Sequence, residues 1–221
     1  MVKSFVTTGM AKLIAADYGV ELIETPVGFK FIGEKIKELD DTGKREFIFG
    51  FEESCGYLRG THARDKDAVV ASMLFAELVC YYTYHKIKVY DRLNELYAKY
   101  GYVFDKSVSI NYGGLNAMAE MNAVVDKMKN VSVKEIGGFK IKATRDYSVL
   151  KRTLADGTAE VIDCAKCNAV YYELENGFIC IRPSGTEPKL KVYYSINAAD
   201  KQKAEKDFET LKAAFEKLLS E

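Results

Sequence analysis

Two of the three prolines of this chain lie within residues 182–189, between two stretches with the residue pattern of β-strands. These stretches cover residues 178–181 before the segment and residues 190–196 after it. Proline fixes φ and cannot donate a hydrogen bond to a sheet, so Pro183 and Pro188 do not suit central strand positions. The pattern therefore predicts two strands joined by a rigid loop at their tip.

This loop carries groups that suit an anion. Arg182 offers a planar guanidinium, Ser184 and Thr186 offer hydroxyls, and Gly185 gives a flexible backbone. Arginine pairs with phosphate through two parallel N–H groups, and backbone N–H groups in a tight turn also bind anions. Serine and glycine often do no more than form a turn, so the residues alone leave phosphate binding and a plain turn equally open.

The first half of the chain alternates strands and helices, which predicts an α/β layer. The predicted strands cover residues 2–7, 20–23 and 46–51, and the predicted helices cover 9–18 and 29–39. Ligands of open α/β sheets bind beyond the carboxyl ends of strands. Glu52 and Ser54 follow the third strand, so we expect both at an exposed loop tip, where they could bind hydroxyl groups.

Residues 65–82 form the longest helical pattern. The pattern is apolar almost all round, which predicts a buried helix. A second helix ends before Gly101, and we place a domain boundary near Asp105.

The second half has short alternating strands and the Asn176-Gly177 hairpin signal. Amphipathic patterns over 118–128 and 204–218 predict two helices. We therefore expect a mixed α/β domain over residues 1–105, followed over 106–221 by an α+β domain with an antiparallel sheet and helices on one face.

Composition excludes several classes of protein. Lys+Arg and Asp+Glu both number 32, and a nucleic-acid surface would need a basic excess. The five scattered cysteines favour free thiols in a reducing cytosol, so we expect a cytoplasmic protein. Cys164 and Cys167 form a single CxxC, which we interpret as a small apolar pair before a strand, with a metal or redox role as the minor alternative. No apolar run reaches the roughly 18 residues of a membrane helix, so we expect no membrane partner.

Four segments of this sequence, in this order, resemble motifs of the α-D-phosphohexomutase superfamily of phosphoglucomutases and phosphomannomutases. They are Glu-Thr-Pro-Val-Gly-Phe-Lys (24–30), Gly-Phe-Glu-Glu-Ser-Cys-Gly-Tyr (50–57), Arg-Asp-Lys-Asp (64–67) and Arg-Pro-Ser-Gly-Thr-Glu-Pro-Lys (182–189). The resemblance covers nearly the whole chain but only the second half of the family's length. It implies the family's third domain, with its sugar-recognition loop, and its C-terminal domain, with its phosphate-binding loop.

The resemblance also implies a set of substrate-binding residues. Glu52 and Ser54 match the sugar ligands, while Lys66 and Lys3 match basic residues near the sugar phosphate. The phosphate-binding loop corresponds to Arg182, Ser184, Gly185 and Thr186.

One departure from the family pattern bears on the substrate. The phosphomannomutase-like members carry a histidine two residues after the loop serine, where this chain has Gly56. With Phe51 before the glutamates, the pattern resembles the phosphoglucomutase and phosphopentomutase branch. A phosphomannomutase or phosphopentomutase stays an alternative, as does a non-catalytic sugar-phosphate-binding protein or a pair of purely structural domains.

The family's nucleophilic serine loop and its metal-binding aspartate loop are not found in this sequence. We therefore expect no catalytic residue, no metal and no cofactor in this chain, and no turnover by the chain alone. The resemblance implies a longer parent enzyme that converts glucose 1-phosphate and glucose 6-phosphate through a phosphoserine and a bisphosphate intermediate. Magnesium and a glucose bisphosphate activator would belong to that parent, and the partners of this chain would be a hexose phosphate and the missing N-terminal domains.

Overall fold

A computed structural model describes residues 1–185 and 187–221 of the chain. The chain divides into two compact units, Met1–Gly101 (unit 1) and Tyr102–Glu221 (unit 2). In the described ranges, no helix is both long and apolar enough to cross a membrane.

Unit 1 follows the predicted alternation of strands and helices. Its elements are β1 (Val2–Ser4), α1 (Met10–Asp17), β2 (Ile23–Thr25), α2 (Phe29–Thr42), β3 (Phe49–Glu52), β4 (Gly56–Arg59), α3 (Ala68–Tyr84) and α4 (Val89–Tyr100). The strand order is β2-β1-β3-β4, with β1 parallel to both β2 and β3, and with β4 antiparallel to β3. The carboxyl ends of β1, β2 and β3 therefore meet along one edge of the sheet.

The core of unit 1 lies between α2 and the sheet. Buried side chains recur along α2 at the spacing of one helix face. They pack against residues of β1 and β4 and against Phe47, which precedes β3. The cluster contains Val2, Phe29, Ile32, Ile36, Leu39, Phe47 and Leu58. Removing each such side chain from water contributes about 1.5–3 kcal/mol. This burial fixes the position of Phe29, the first residue of α2.

Gly33 lies inside α2 because another segment passes close to it. A Cβ placed on Gly33 would lie 2.4 Å from the backbone oxygen of Arg64. No side chain fits there without displacing the segment that leads into α3. The glycine thus lowers the local helix propensity but permits this approach.

The prediction of a buried helix over 65–82 is wrong. The observed helix α3 begins at Ala68, and none of its residues is buried. One side of α3, with Val70 and Leu74 half-buried, faces the neighbouring structure, and α3 contacts β4. Apolar residues all round a helix predict that other protein segments bury it on every side. In the described chain, such segments contact α3 on one side only.

Unit 2 is the predicted α+β domain. Its elements are β5 (Tyr102–Asn111), α5 (Ala117–Asn130), β6 (Glu135–Ile136), β7 (Phe139–Asp146), β8 (Lys151–Leu154), β9 (Ala159–Val161), β10 (Val170–Leu174), β11 (Gly177–Pro183), β12 (Lys189–Ala198) and α6 (Lys201–Ser220). The sheet order is β5-β12-β11-β10-β7-β8-β9, with antiparallel neighbours, and β6 pairs with β7. Asp105, where we placed the domain boundary, lies within β5.

Helices α5 and α6 bury their apolar faces against one face of this sheet. Met121, Val125 and Met128 of α5 join Phe208, Leu211 and Phe215 of α6 in a core that also contains alternate residues of β10, β11 and β12. Met121 and Met128 therefore fill the core, whereas Met118 of the same helix is 47% exposed. This packing fixes β11 and β12, the two strands that carry the 182–189 segment.

Candidate functional site

Polar side chains follow all three parallel strands of unit 1 at their carboxyl ends. Ser4 ends β1, Glu24 and Thr25 end β2, and Glu52 ends β3. Side chains and backbone groups from these ends contact one another. Because the resemblance predicts that Glu52 and Ser54 bind a sugar, we call this edge of the sheet the sugar edge.

Glu52 is buried and not at an exposed tip as the sequence predicted, since its residue is 8% exposed. Its Oε1 accepts a hydrogen bond from the Gly28 N–H at 2.6 Å, which links the end of β3 to the start of α2. A Cβ on Gly56 would lie 3.2 Å from Glu52 Cβ and 3.4 Å from Phe29 Cδ2. Gly56 therefore gives Glu52 the room in which it meets Gly28.

Glu53 holds the same loop to the end of β1. Its Oε2 accepts hydrogen bonds from Ser4 Oγ at 3.1 Å and from Thr7 Oγ1 at 3.3 Å, and the two hydroxyls lie 2.7 Å apart. Neighbouring side chains of an extended segment point to opposite sides, so Glu53 contacts different partners from Glu52. Neither Ser4 nor Thr7 was among the residues that the sequence predicted at this site. Two hydroxyl residues three positions apart at the end of a strand can close a turn, so the Ser4–Thr7 spacing could have predicted that their hydroxyls lie close together.

Lys3 is buried under the sugar edge and is 1% exposed. Its ammonium donates to the backbone oxygens of Ser4 at 3.2 Å and Thr7 at 2.8 Å, and it lies 3.0 Å from Glu24 Oε1. An ammonium has three N–H donors, so these partners account for all of them. Glu24 faces Lys3 because the two residues pair in the β1–β2 register, and this partner was missed because register is not visible in one strand.

Ser54 and Cys55 form the exposed turn between β3 and β4. Cys55 has φ of 47°, in the left-handed region that few non-glycine residues adopt. Lys66 is exposed, and its Nζ lies 5.9 Å from the ring centroid of Phe29 and 3.3 Å from Asp65 Oδ1. The structure thus brings Glu52, Ser54, Lys66 and Lys3 to the carboxyl ends of the strands and the start of α2.

The connection between β11 and β12 is shorter than the predicted loop over 182–189, because Arg182 and Pro183 are the last residues of β11 and Lys189 is the first residue of β12. Ser184 N–H donates to Lys189 O at 2.7 Å, and Lys189 N–H donates to Glu187 O at 2.7 Å. A Cβ on Gly185 would meet no atom within 4 Å, so this backbone is open. Thr186 lies outside the described residues.

Two hydrogen bonds and an aromatic contact hold Arg182 in place. Its Nη2 donates to Tyr193 Oη at 3.3 Å, its Nη1 donates to Pro183 O at 3.4 Å, and its guanidinium lies 5.8 Å from the Tyr193 ring centroid. Its Nε is buried and has no hydrogen-bond partner among the described residues. A buried N–H without an acceptor costs about 1–3 kcal/mol, which a bound anion would relieve.

A separate ion cluster lies on β7, β8 and β10 of unit 2. Glu173 accepts hydrogen bonds from Arg145 and Arg152, the latter at 2.7 and 2.8 Å. Burial raises the pKa of Glu173, but the hydrogen bonds from Arg152 and Arg145 outweigh it and lower the pKa to about 2. The sequence showed no sign of this cluster, because its members lie on different strands.

The Cys164–Cys167 pair has no metal-site geometry within 1–185 and 187–221, where no cluster of His, Cys, Asp and Glu could hold a metal ion. Burial raises the pKa of the Cys167 thiol to about 12, which keeps it protonated and unreactive.

Comparison with known families matches nearly the whole chain. Residues 1–100 match the sequence model described as phosphoglucomutase/phosphomannomutase, alpha/beta/alpha domain III, and residues 120–212 match the model described as phosphoglucomutase/phosphomannomutase, C-terminal domain.

Two curated relatives are named phosphoglucomutase. The protein from Staphylococcus haemolyticus strain JCSC1435 is 35% identical over 208 residues, which is 94% of this chain and 38% of the relative. The protein from Staphylococcus aureus strain bovine RF122 is 36% identical over 197 residues, which is 89% of this chain and 35% of the relative. The chain therefore spans less than half of the length of these relatives.

Two solved structures share the fold. The pp63/parafusin phosphoglucomutase of Paramecium has a TM-score of 0.59 at 20% identity, and the match covers 90% of this chain and 33% of that chain. A Thermus thermophilus protein, described provisionally as a phosphomannomutase, has a TM-score of 0.63 at 17% identity, over 100% of this chain and 36% of that chain.

Proposed function

Because this chain belongs to the phosphoglucomutase/phosphomannomutase family, we propose that it is the substrate-recognition part of an enzyme that interconverts glucose 1-phosphate and glucose 6-phosphate. In this proposal the phosphoryl group moves through a phosphoserine and a bisphosphate intermediate on the parent enzyme. Unit 1 binds sugar hydroxyls, and unit 2 binds the phosphate that is not being transferred. The observation that carries the proposal is the buried Nε of Arg182 at the end of β11, which has no hydrogen-bond partner among the described residues, together with the open backbone of Gly185.

On unit 1, Glu52 and Ser54 bind sugar hydroxyls. A carboxylate has about four lone-pair sites, so Glu52 can accept a hydrogen bond from a sugar hydroxyl in addition to the one from the Gly28 N–H. Ser54 is exposed and can donate or accept. A hydrogen bond to a charged acceptor contributes about 1.5–3 kcal/mol, so Glu52 is the stronger of the two ligands.

The two lysines act differently. Lys66 has an exposed ammonium beside Phe29 and can approach a phosphate directly. Lys3 has all three donors engaged, so it contacts a ligand only by exchanging one of them. Until then it acts by neutralising Glu24 and holding the ends of β1 and β2 together.

On unit 2, the phosphate is bound by the positive charge of Arg182 and by backbone groups that it can approach closely at Gly185. The Arg182 guanidinium is held by Tyr193 and keeps its Nε for an anion oxygen. Gly185 admits the anion to the backbone, and Ser184 and Thr186 add hydroxyl donors in this proposal. A salt-dependent, weak site is expected because water reaches the exposed backbone of Gly185.

The residues of unit 1 do not fit the magnesium ion that the family implies. In the described part of unit 1, no three side chains of His, Cys, Asp and Glu lie together so that they could hold a metal ion. We therefore derive no step through a metal on this chain. In the proposal, magnesium and the glucose bisphosphate activator belong to the part of the parent enzyme that this chain does not span.

The surroundings of Gly56 favour a glucose phosphate over a mannose phosphate. A histidine at this position, as in the phosphomannomutase-like members, would bring its Cβ within 3.2 Å of Glu52 Cβ and 3.4 Å of Glu52 Oε2. Glu52 would then have to shift by a few tenths of an ångström. The observed position of the Glu52 side chain therefore requires a glycine at position 56.

The test is an NMR titration of the 221-residue chain with glucose 1-phosphate. We expect shifts at residues of the 182–189 loop and a Kd near a millimolar, or about −4 kcal/mol. Arg182→Ala should abolish these shifts, while Arg92→Ala, which removes an arginine from α4, should leave them unchanged. Shifts that survive in Arg182→Ala would place the phosphate elsewhere and refute the assignment.

A further inference from the structure

One side of α3 is apolar and faces solvent. Val69, Met73, Ala76, Cys80 and Tyr84 follow one another at intervals of four, three, four and four residues, which places them along one face of the helix. Val69 is 69% exposed, Met73 is 65% exposed and Tyr84 is 83% exposed. We call these five residues the α3 stripe.

The composition of α3 is that of a helix in contact with protein on both sides. Among its residues, Ala68–Tyr84, the only ionisable carboxylate is Glu77, and there is no lysine or arginine. By contrast, α4 carries Asp91, Arg92, Glu95 and Lys99. The α3 stripe exposes on the order of 500 Å² of apolar surface, as large as the largest patch on an ordinary monomer and typical of an interaction site.

The α3 stripe starts next to the sugar edge. Asp67 caps α3 by accepting from the N–H groups of Val69 at 2.8 Å and Val70 at 3.1 Å, and its own N–H donates to Tyr57 O at 2.8 Å. The preceding residue, Lys66, lies over Phe29 at the start of α2. A protein packed on the stripe would therefore lie beside the residues proposed to bind the sugar.

The family comparison indicates what covers this surface. The matched parts are domain III and the C-terminal domain, and the chain spans 38% of the S. haemolyticus relative, so the relatives contain further domains before domain III. We propose that the α3 stripe is the docking surface for those preceding domains. This inference rests on the proposed function, and it adds the surface through which the remaining part of the enzyme meets the sugar edge.

The charge on α3 favours such a partner over a second copy of this chain. Two antiparallel copies of α3 would bring Glu77 close to Glu77 near the middle of the helix, and like charges at short range oppose association. The partner surface should be apolar, with a lysine or arginine opposite Glu77.

The experiment joins this chain to the part of S. haemolyticus phosphoglucomutase that it does not span, and compares the fusion protein with the 221-residue chain. Alkylation of each cysteine by iodoacetamide is followed by mass spectrometry. Cys80 is exposed in the stripe, so it should react at least about ten-fold more slowly in the fusion protein. Cys180, which is fully buried, should be unreactive in both.

Two matched variants of the fusion protein test the stripe itself. Met73→Glu should restore Cys80 alkylation to the rate of the chain alone and lower isomerase activity at least about ten-fold. Tyr90→Glu changes a similarly exposed residue, 69% exposed, on α4 outside the stripe, and should do neither.

The outcomes separate the docking surface from the proposed function. An active fusion protein with a freely reactive Cys80 would overturn the docking surface and leave the proposed function standing. Slow Cys80 alkylation in an inactive fusion protein would support the docking surface and count against the proposed function. An inactive fusion protein with reactive Cys80 overturns the docking surface, as does a dimer of the chain alone in which Cys80 is already protected.

Discussion

Replacement of Glu52 by alanine tests whether this residue organises the sugar edge before any ligand binds. Glu52 is buried, and its carboxylate accepts the Gly28 N–H at 2.6 Å. A hydrogen bond to a charged group contributes about 1.5–3 kcal/mol, and removal of the acceptor leaves the donor unsatisfied. We therefore expect Glu52→Ala to destabilise unit 1 by about 2 kcal/mol.

Thermal unfolding converts this free energy into a temperature. For a domain of about 100 residues, 1 kcal/mol shifts Tm by roughly 4–8 °C, so Glu52→Ala should lower the Tm of unit 1 by on the order of 10 °C. Hydrogen exchange followed by mass spectrometry should show faster exchange in peptides of Met1–Gly101. Peptides of unit 2 should exchange as in the wild type and serve as an internal reference. Glu52→Gln keeps an acceptor of the same shape and should lose about half as much.

The matched control is Glu46→Ala, the same change at an exposed glutamate just before β3. It should leave Tm within about 2 °C of the wild type, since exposed substitutions are usually within about 0.5 kcal/mol. If Glu52→Ala and Glu46→Ala unfold at the same temperature, the Glu52–Gly28 hydrogen bond does not stabilise the fold, and the argument that Glu52 organises the edge is refuted.

Three further changes follow from the described contacts. Gly33→Ala should lower the urea midpoint by the equivalent of about 1–3 kcal/mol, because its Cβ would lie 2.4 Å from Arg64 O, although alanine is the better helix former; a higher midpoint would contradict the close approach. Glu173→Gln should destabilise the chain most at pH 7, by about 3 kcal/mol, because the folded pKa of about 2 lies below the ordinary value of 4.5. This stabilisation is present above pH 4.5 and is lost as the pH falls towards 2, so a difference from the wild type that stays constant between pH 7 and pH 2 would be the contrary result. Asp67→Ala should cost about 1 kcal/mol and speed amide exchange in the first turn of α3, whereas Asp67→Asn should retain the cap; equal exchange in both variants would argue against capping.

Local patterns in the sequence were enough to predict the architecture. The alternation of strands and helices in unit 1, and the Asn176-Gly177 turn between β10 and β11, depend on neighbours in the chain. The assignment of Glu52 and Ser54 to a strand end used the same kind of information. These features need no knowledge of which distant segments meet.

Contacts between distant segments could not be predicted. Lys3 meets Glu24 because β1 and β2 pair in one register, and Glu53 meets Ser4 across 49 residues of chain. Glu52 was expected to be exposed because its burial comes from Phe29 and Gly56, whose positions depend on packing of α2. The burial of α3 was wrongly predicted because an apolar pattern does not say which chain segment covers a helix.

The hydrogen bonds of Glu52 to Gly28, and of Glu53 to Ser4 and Thr7, have a consequence for binding entropy. They fix the three-residue turn over 53–55 against the end of β1 and the start of α2 in the free protein. Ordering a backbone costs about 1–2 kcal/mol per residue, so a mobile loop of this length would add about 3–6 kcal/mol to the free energy that a ligand must supply. A millimolar Kd corresponds to about 4 kcal/mol, so a sugar that had to order this loop itself would scarcely bind.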